Sequence, residues 1–203
     1  MSTAVIVFAK APVAGLAKTR LIPALGADGA AQLAERLLHH TLQQVLALPA
    51  THRELCVTPT LLHPAFDHVR QTAAGQVQIT LQGDGDLGER MHRALSRVLT
   101  VHERALLIGT DAPSLDTRRL EAACLALDRH EAVFVPALDG GYALVGLRRP
   151  APALFDQMTW STPRVMQDTR DRARAIGLSW TELDPVADLD EPADLVHLPE
   201  DWR

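Results

Sequence analysis

Carboxylates and cations recur in this sequence where the chain has to turn. The stretch Arg104-Ala105-Leu106-Leu107-Ile108-Gly109-Thr110-Asp111-Ala112-Pro113 sets the pattern. Its apolar run stops at Gly109, and a carboxylate follows two residues later. Pro113 has no N–H and ends any regular ladder. Asp111 is therefore expected just past the carboxyl end of a buried strand. In open α/β sheets that edge is where ligands bind. A carboxylate there can hold a divalent metal, orient a hydroxyl or cap the next helix.

More acids lie in Asp184-Pro185-Val186-Ala187-Asp188-Leu189-Asp190-Glu191-Pro192-Ala193-Asp194-Leu195. Magnesium is usually held by one or two carboxylates plus phosphates and waters. Asp111 and Asp190, brought together from two strand ends, would suffice. Asp190 has a competing role as a helix cap, because Pro192 falls in the first turn that follows. Capping does not account for Asp188.

The cations come early. Lys10, Lys18 and Arg20 flank Gly15 in a loop that follows the first apolar run. Backbone amides plus cations at that position suit a pyrophosphate. The segment is not a P-loop, because Ala17 and Pro12 stand where that motif needs glycine. A Gly-x-Gly-x-x-Gly dinucleotide fingerprint is also missing. The plain alternative is a solvated basic loop.

Three further segments complete the set. In Asp139-Gly140-Gly141-Tyr142, two glycines allow a close backbone approach to a ligand, and Asp139 can bind sugar hydroxyls or act as a general base. The same residues also suit a simple hairpin turn. Gly83 to Arg90, with Gly88 near its end, opens a helix whose N-terminus can face a base or a phosphate. Trp160-Ser161-Thr162-Pro163 can border an acceptor pocket, or staple the helix that follows. The nine histidines show no metal-ligand spacing and read as surface or packing residues. A Gly-x-Ser-x-Gly elbow and a catalytic Cys-His context are missing too, which argues against acyl transfer.

The elements that must position these residues alternate in type. Strands are expected at Ala4 to Ala9, Glu54 to Thr58, Val77 to Leu81, the Arg104 segment, Ala132 to Ala137, Tyr142 to Leu147 and Ser179 to Leu183. Helices are expected at Asp28 to Leu48, Pro64 to Ala73, Leu87 to Val101, Asp116 to Leu127 and Thr162 to Ile176, with a short one from Pro192 to Leu198. Asp28, Asp116 and Thr162 are the expected N-caps. The alternation predicts a mostly parallel α/β sheet with helices on both faces. Loops at one edge of such a sheet share a crevice, and the unusual residues fall in those loops.

The 203 residues suit a single domain spanning 1–203 with a real core. A net charge of −5 gives no basic footprint for nucleic acid or for an anionic membrane surface. Cys56 and Cys124 sit among apolar neighbours and read as buried thiols. The N-terminal run is too short and too poor in flanking charge for a signal peptide, and no run approaches the length of a membrane span. The expected location is cytoplasmic.

Six motifs in order make the chain similar to the nucleotide-diphospho-sugar transferase superfamily. They are Phe8-Ala9-Lys10-Ala11-Pro12 through Lys18-Thr19-Arg20-Leu21, Gly85 to Met91, Ile108 to Pro113, Pro136 with Asp139 to Tyr142, Trp160-Ser161-Thr162, and Asp188 to Leu195. More closely, the chain resembles small bacterial A-type glycosyltransferases of the arsenosugar-biosynthesis-like group. The resemblance implies a single Rossmann-like domain with a mostly parallel twisted sheet. It also implies a nucleotide or nucleotide-sugar, a small-molecule acceptor and Mg²⁺ or Mn²⁺.

On the matching positions, Ala9, Lys10, Gly15, Lys18, Thr19, Arg20, Gly88 and Thr110 would bind the nucleotide. Asp139, Gly140, Gly141, Tyr142 and Trp160 would face the other substrate. Asp111, Asp139, Lys18 and Arg20 would be catalytic, and Asp111 and Asp190 would hold the metal. One departure stands out. Thr110-Asp111-Ala112 carries a single acid where glycosyltransferases show Asp-x-Asp. That form is closer to the nucleotidyltransferase branch, so nucleotidyl transfer is the alternative. A non-catalytic nucleotide-binding protein on the same fold is the second alternative.

Overall fold

The computed structural model of the chain describes residues 1–73 and 75–202. Among these, seven strands form one sheet in the order β3-β2-β1-β4-β6-β5-β7. The strands are β1 (Thr3–Lys10), β2 (His52–Thr58), β3 (Gln78–Leu81), β4 (Arg104–Ile108), β5 (Ala132–Pro136), β6 (Tyr142–Leu147) and β7 (Trp180–Glu182). β1 pairs in parallel with β2 and β4, β2 with β3, and β5 with β7. β6 alone runs the other way, antiparallel to both β4 and β5. The central parallel strands β1 and β4 are continuous apolar runs because both of their faces are covered.

Five helices supply that cover: α1 (Ile22–Ala47), α2 (Pro64–Thr72), α3 (Leu87–Leu99), α4 (Thr117–Ala126) and α5 (Val165–Ala175). The two-residue period of the strands sorts the core into two layers. Val5, Val7, Leu55, Leu106 and Ile108 face one side, with Leu38, Leu42, Phe66 and Leu120 from α1, α2 and α4. Ala4, Ile6, Phe8, Leu107 and Phe134 face the other, with Met91, Leu95 and Met166 from α3 and α5. Cys56 and Cys124 are buried free thiols, as expected. No helix of the described residues is long and apolar enough to cross a membrane.

Two helix starts differ from the sequence-based expectation. The first helix begins at Ile22 rather than Asp28, and Gly26 breaks it with φ 73° and ψ 167°. Pro23 is compatible with that early start, because first-turn N–H groups have no intrahelical partner. Asp28 therefore lies inside the helix and does not cap its start. α5 begins at Val165, with Arg164 rather than Thr162 at its N-cap. The Thr162 hydroxyl donates instead to the Thr159 carbonyl at 3.1 Å. The Met166 N–H donates to the Gly140 carbonyl at 2.8 Å, so the start of α5 is tied to the β5–β6 turn. Asp116 does cap α4, accepting from the Arg119 N–H at 2.9 Å.

Candidate functional site

The strand directions bring the carboxyl ends of β1, β2, β3 and β4 to one edge, together with the start of β6. A cleft of about 430 Å³ opens there. Of the expected nucleotide residues, Ala9, Lys10, Lys18, Thr19, Arg20 and Thr110 line it, and so do Asp111 and Asp190. Gly15 and Gly88 are not among its lining residues. Gly15 turns the loop with φ +79° and faces open space. Gly88 serves close packing, because a Cβ there would lie 2.7 Å from the Phe155 carbonyl and 2.8 Å from the Trp160 ring.

The first loop is bound to the acidic segments by charge. Lys18 sits at φ 47° and ψ 45°, a left-handed conformation that costs a residue with a Cβ. Its side chain is only 6% exposed, and its Nζ lies 2.6 Å from Asp111 Oδ1. The same Nζ donates to the Leu189 carbonyl at 2.6 Å. The Leu189 N–H in turn donates to the Asp111 carbonyl at 2.9 Å. A buried ammonium thus joins the first loop, the end of β4 and the C-terminal acidic segment. Arg20 pairs with Asp190 at 2.7 Å, but both side chains are largely exposed, so that pair contributes little.

Two other cations in the cleft have no carboxylate partner among the described residues. Lys10 Nζ donates to the Leu16 carbonyl at 2.8 Å, and Arg90 Nε to the Gly85 carbonyl at 2.8 Å. Arg90 lines the cleft from the first turns of α3. In the sequence it stands inside the Gly85 to Met91 motif with no role of its own. Its position three residues after Leu87, on the same helical face, was the available signal. The start of α3 is fixed by a capping box: Asp86 accepts from the Glu89 N–H, and Glu89 accepts from the Asp86 N–H.

Beside the cleft is a smaller recess of about 150 Å³, lined by Gly109, Asp111, Asp139, Gly141, Tyr142 and Asp188 among others. Three acids therefore meet at one place: Asp111 from the end of β4, Asp139 from the β5–β6 turn, and Asp188 from the last loop. Asp188 shows the effect. Burial, followed by the charge of Asp139 and lesser contributions from Asp194 and Asp111, pushes its carboxyl up to about 6. Asp190 also reaches the cleft, but its carboxylate is engaged by Arg20. The acid that stands with Asp111 and Asp139 is Asp188, the residue that helix capping does not explain. The cap role expected for Asp190 falls to its neighbour Glu191, the N-cap of the 3-10 segment Pro192–His197.

The expected acceptor-side residues divide into lining and support. Asp139 accepts from the Gly141 N–H at 2.8 Å, so it builds its own turn as well as lining the recess. Gly140 has φ +94°, and a Cβ there would collide with the Pro163 carbonyl. Its lack of a side chain serves packing. Tyr142 lines the recess, and its ring meets Trp160 edge-on with centroids 6.4 Å apart. Trp160 stands behind the wall, with its indole Nε1 buried and without a partner among the described residues.

The donor set suits a hard cation. Asp111, Asp139 and Asp188 offer oxygen ligands, the type that Mg²⁺ and Mn²⁺ prefer. In the structure the Lys18 ammonium supplies the positive charge at Asp111. No ready-made group of three His, Cys, Asp or Glu ligands occurs among the described residues. The few protein ligands and the open cleft fit an ion that keeps waters and shares phosphate oxygens.

A family described as "Uncharacterized protein conserved in bacteria" (DUF2064) matches residues 41–162. The chain belongs to this family. A solved structure from Desulfovibrio desulfuricans G20, described as a candidate nucleotide-diphospho-sugar transferase, is 30% identical. It aligns over 100% of this chain and 89% of its own, with a TM-score of 0.90. Two more distant structures share the fold. The 4-diphosphocytidyl-2C-methyl-D-erythritol synthase of Anaerococcus prevotii DSM 20548 is 10% identical with a TM-score of 0.66, covering 97% of this chain and 93% of that one. A manganese complex of Rv0371C from Mycobacterium tuberculosis H37Rv is 16% identical with a TM-score of 0.58, covering 98% of both chains. No curated protein matches the chain. This DUF2064 protein thus has the nucleotide-diphospho-sugar transferase fold, as the sequence motifs implied.

Proposed function

We propose that the protein is a metal-dependent transferase that uses a nucleotide-activated donor, and that it moves a sugar from a nucleotide-diphospho-sugar to an acceptor hydroxyl. The observation that carries this reading is the meeting of Asp111, Asp139 and Asp188 beside a cleft lined by cations. Lys10 and Arg90, free of carboxylate partners among the described residues, are the best placed to bind the diphosphate. Asp111 and Asp188 would hold Mg²⁺ or Mn²⁺, with Asp190 at the cleft edge; the ion would neutralise charge on the departing diphosphate. Lys18 and Arg20 add cationic charge on the loop side. Asp139, held in its turn by the Gly141 N–H, is placed to orient or deprotonate the acceptor hydroxyl. Gly140, Tyr142 and Trp160 shape the wall behind it.

The description of the D. desulfuricans relative supports the sugar reading. The single acid after β4 and the fold shared with the A. prevotii 4-diphosphocytidyl-2C-methyl-D-erythritol synthase favour nucleotidyl transfer as the second reading. The phosphate product separates them. Incubation with a panel of nucleotide-sugars and Mn²⁺ should release a nucleoside diphosphate, and Asp111→Ala should abolish that release. Pyrophosphate formed from a nucleoside triphosphate and a phosphorylated acceptor would move the assignment to the second reading. Tight nucleotide binding that is indifferent to metal, with no turnover of any donor, would make the protein a binder only.

A further inference from the structure

The chain that follows Asp188 is fastened at its two ends and hardly between them. Leu189 is fully buried, its N–H donates to the Asp111 carbonyl, and its own carbonyl accepts from the Lys18 ammonium. None of the described residues from 190 to 200 is buried. This exposed stretch forms the acidic side of the site. Asp190, Glu191 and Asp194 line a cavity of about 310 Å³ together with Asp139 and Asp188. The stretch then reaches the short turn Glu200–Trp202, where the chain meets α1.

The contacts at Trp202 are specific. Arg36 Cζ lies 4.3 Å from the centre of its ring. The His40 ring meets it edge-on, with centroids 5.3 Å apart at 86°. Arg36 and His40 are four residues apart on α1 and therefore share one helix face. A guanidinium over the ring and a second ring at its edge are both favourable arrangements for an aromatic side chain. His40 also reaches the site from its other side. Its Nε2 lies 2.9 Å from the Pro113 carbonyl. A carbonyl only accepts, so Nε2 must carry the hydrogen. Pro113 stands two residues after Asp111, in the turn that presents that carboxylate.

These contacts close a ring. It runs from the Asp111 turn to His40, from His40 to Trp202, back along the chain to Leu189, and from Leu189 to the Asp111 backbone. Asp111 and Asp188, which meet in one recess, lie on opposite arms of that ring. We propose that His40 and Trp202 act together as a positioning clasp, which holds the acidic segment against the Asp111 turn and so sets the separation of Asp111 and Asp188 for a divalent ion. Neither residue touches the ion. This inference rests on the metal reading of those two acids.

Mn²⁺ affinity of the intact, nucleotide-free chain provides the test, with free Mn²⁺ followed by electron paramagnetic resonance well below each variant's melting temperature. Trp202→Ala and His40→Ala should each weaken Mn²⁺ binding by about fivefold, the size of one aromatic plus one cation–π contact. Trp202→Phe keeps the ring, and His40→Gln keeps an N–H for the Pro113 carbonyl, so both should stay within about twofold of the wild type. A residue that only stabilises the fold would lower the melting temperature and leave Mn²⁺ affinity unchanged. Linkage supplies an arm that needs no variant. If docking of the segment favours Mn²⁺, Mn²⁺ must favour docking by the same factor. Saturating Mn²⁺ should therefore slow amide hydrogen exchange over residues 194 to 198 of the wild type by about fivefold. Unchanged Mn²⁺ affinity in the folded alanine variants, or exchange indifferent to Mn²⁺ that the wild type does bind, would overturn the clasp and leave the metal reading intact. A loss in Trp202→Phe and His40→Gln as large as in the alanine variants would overturn it too. Failure of the wild type to bind Mn²⁺ at all would overturn the metal reading, and this inference with it.

Discussion

Replacing Lys18 by Met should change metal affinity and nucleotide affinity in opposite directions. The Lys18 ammonium lies 2.6 Å from Asp111 Oδ1 and 2.6 Å from the Leu189 carbonyl, in a side chain only 6% exposed. A divalent ion that takes the Asp111 carboxylate must displace that ammonium or share the carboxylate with it. Hydrogen bonds to charged groups contribute about 1.5–3 kcal/mol each. Asp111 is 53% exposed, so the lower end applies. Removing a competitor of that strength should tighten Mn²⁺ binding to the nucleotide-free protein by about tenfold. Once displaced, the ammonium would be available to the diphosphate, so the variant should bind a nucleoside diphosphate more weakly, by a similar factor. Methionine matches the length of the lysine stem and keeps its packing. Free Mn²⁺ followed by electron paramagnetic resonance, and nucleotide affinity measured by calorimetry, read the two arms separately. Mn²⁺ binding unchanged or weakened in Lys18→Met would refute the competition. A Lys18 that serves only to fasten the loop would lower both affinities together.

Other consequences are as direct. Asp188, raised to about 6, should make Mn²⁺ affinity fall as the pH drops from 7 to 5. Because its folded pKa lies above the unfolded value near 3.9, its ionisation costs stability, which declines as pH rises from about 4 to about 6. A shift of about two units corresponds to roughly 3 kcal/mol, and partial exposure reduces this to about 1–2 kcal/mol. Asp188→Asn should therefore raise the melting temperature at pH 7 while weakening Mn²⁺ binding, and a lower melting temperature would contradict the strain assigned to the acid cluster. Glu54 is buried, with a fully covered side chain bound by Arg97, Thr80 and His52. Burial alone would raise its pKa, but those hydrogen bonds outweigh burial and hold it below the usual value. Its stabilisation is present above about pH 4–5 and is lost as pH falls through the folded pKa. Glu54→Ala should cost about 3 kcal/mol in chemical denaturation, since it strands buried partners, and a cost below about 1 kcal/mol would refute that. Gly140→Ala meets both a φ of +94° and a clash with the Pro163 carbonyl, and should destabilise by about 2–3 kcal/mol in the same assay.

The sheet was readable because its central strands β1, β4 and β6 are short, continuous and apolar, and because Gly or Pro marks the ends of most strands. β4 and the antiparallel β6 appeared at nearly their observed limits. Helix starts were less legible where a tertiary contact decides them. Thr162-Pro163 is a good local start signal, yet the tie between Gly140 and Met166 moves the start of α5 to Val165. Asp28 is a good cap residue, yet Pro23 allows α1 to begin well before it. The gathering of the site at one edge was legible, because each unusual loop follows a strand. The partners within it were not. Asp188 and Asp190 differ by two positions, and only the docking of Leu189 onto Asp111 decides which carboxylate turns toward the other acids. Arg90 was hidden for a related reason: it matters through the absence of a carboxylate partner, and pairing is a property of the folded chain. Gly88 and Gly140 looked like ligand-facing glycines, and both prove to be sites of close packing.

Anomalous diffraction at the manganese edge, from crystals grown with Mn²⁺ and a nucleoside diphosphate, tests the proposed site most directly. One strong peak is predicted at the Asp111 carboxylate within reach of Asp188, with the diphosphate between that peak and the Lys10 and Arg90 side chains, and Lys18 released from Asp111. A peak held by Asp190 and Glu191 away from Asp111, or a diphosphate bound elsewhere with Lys18 still on Asp111, would contradict it.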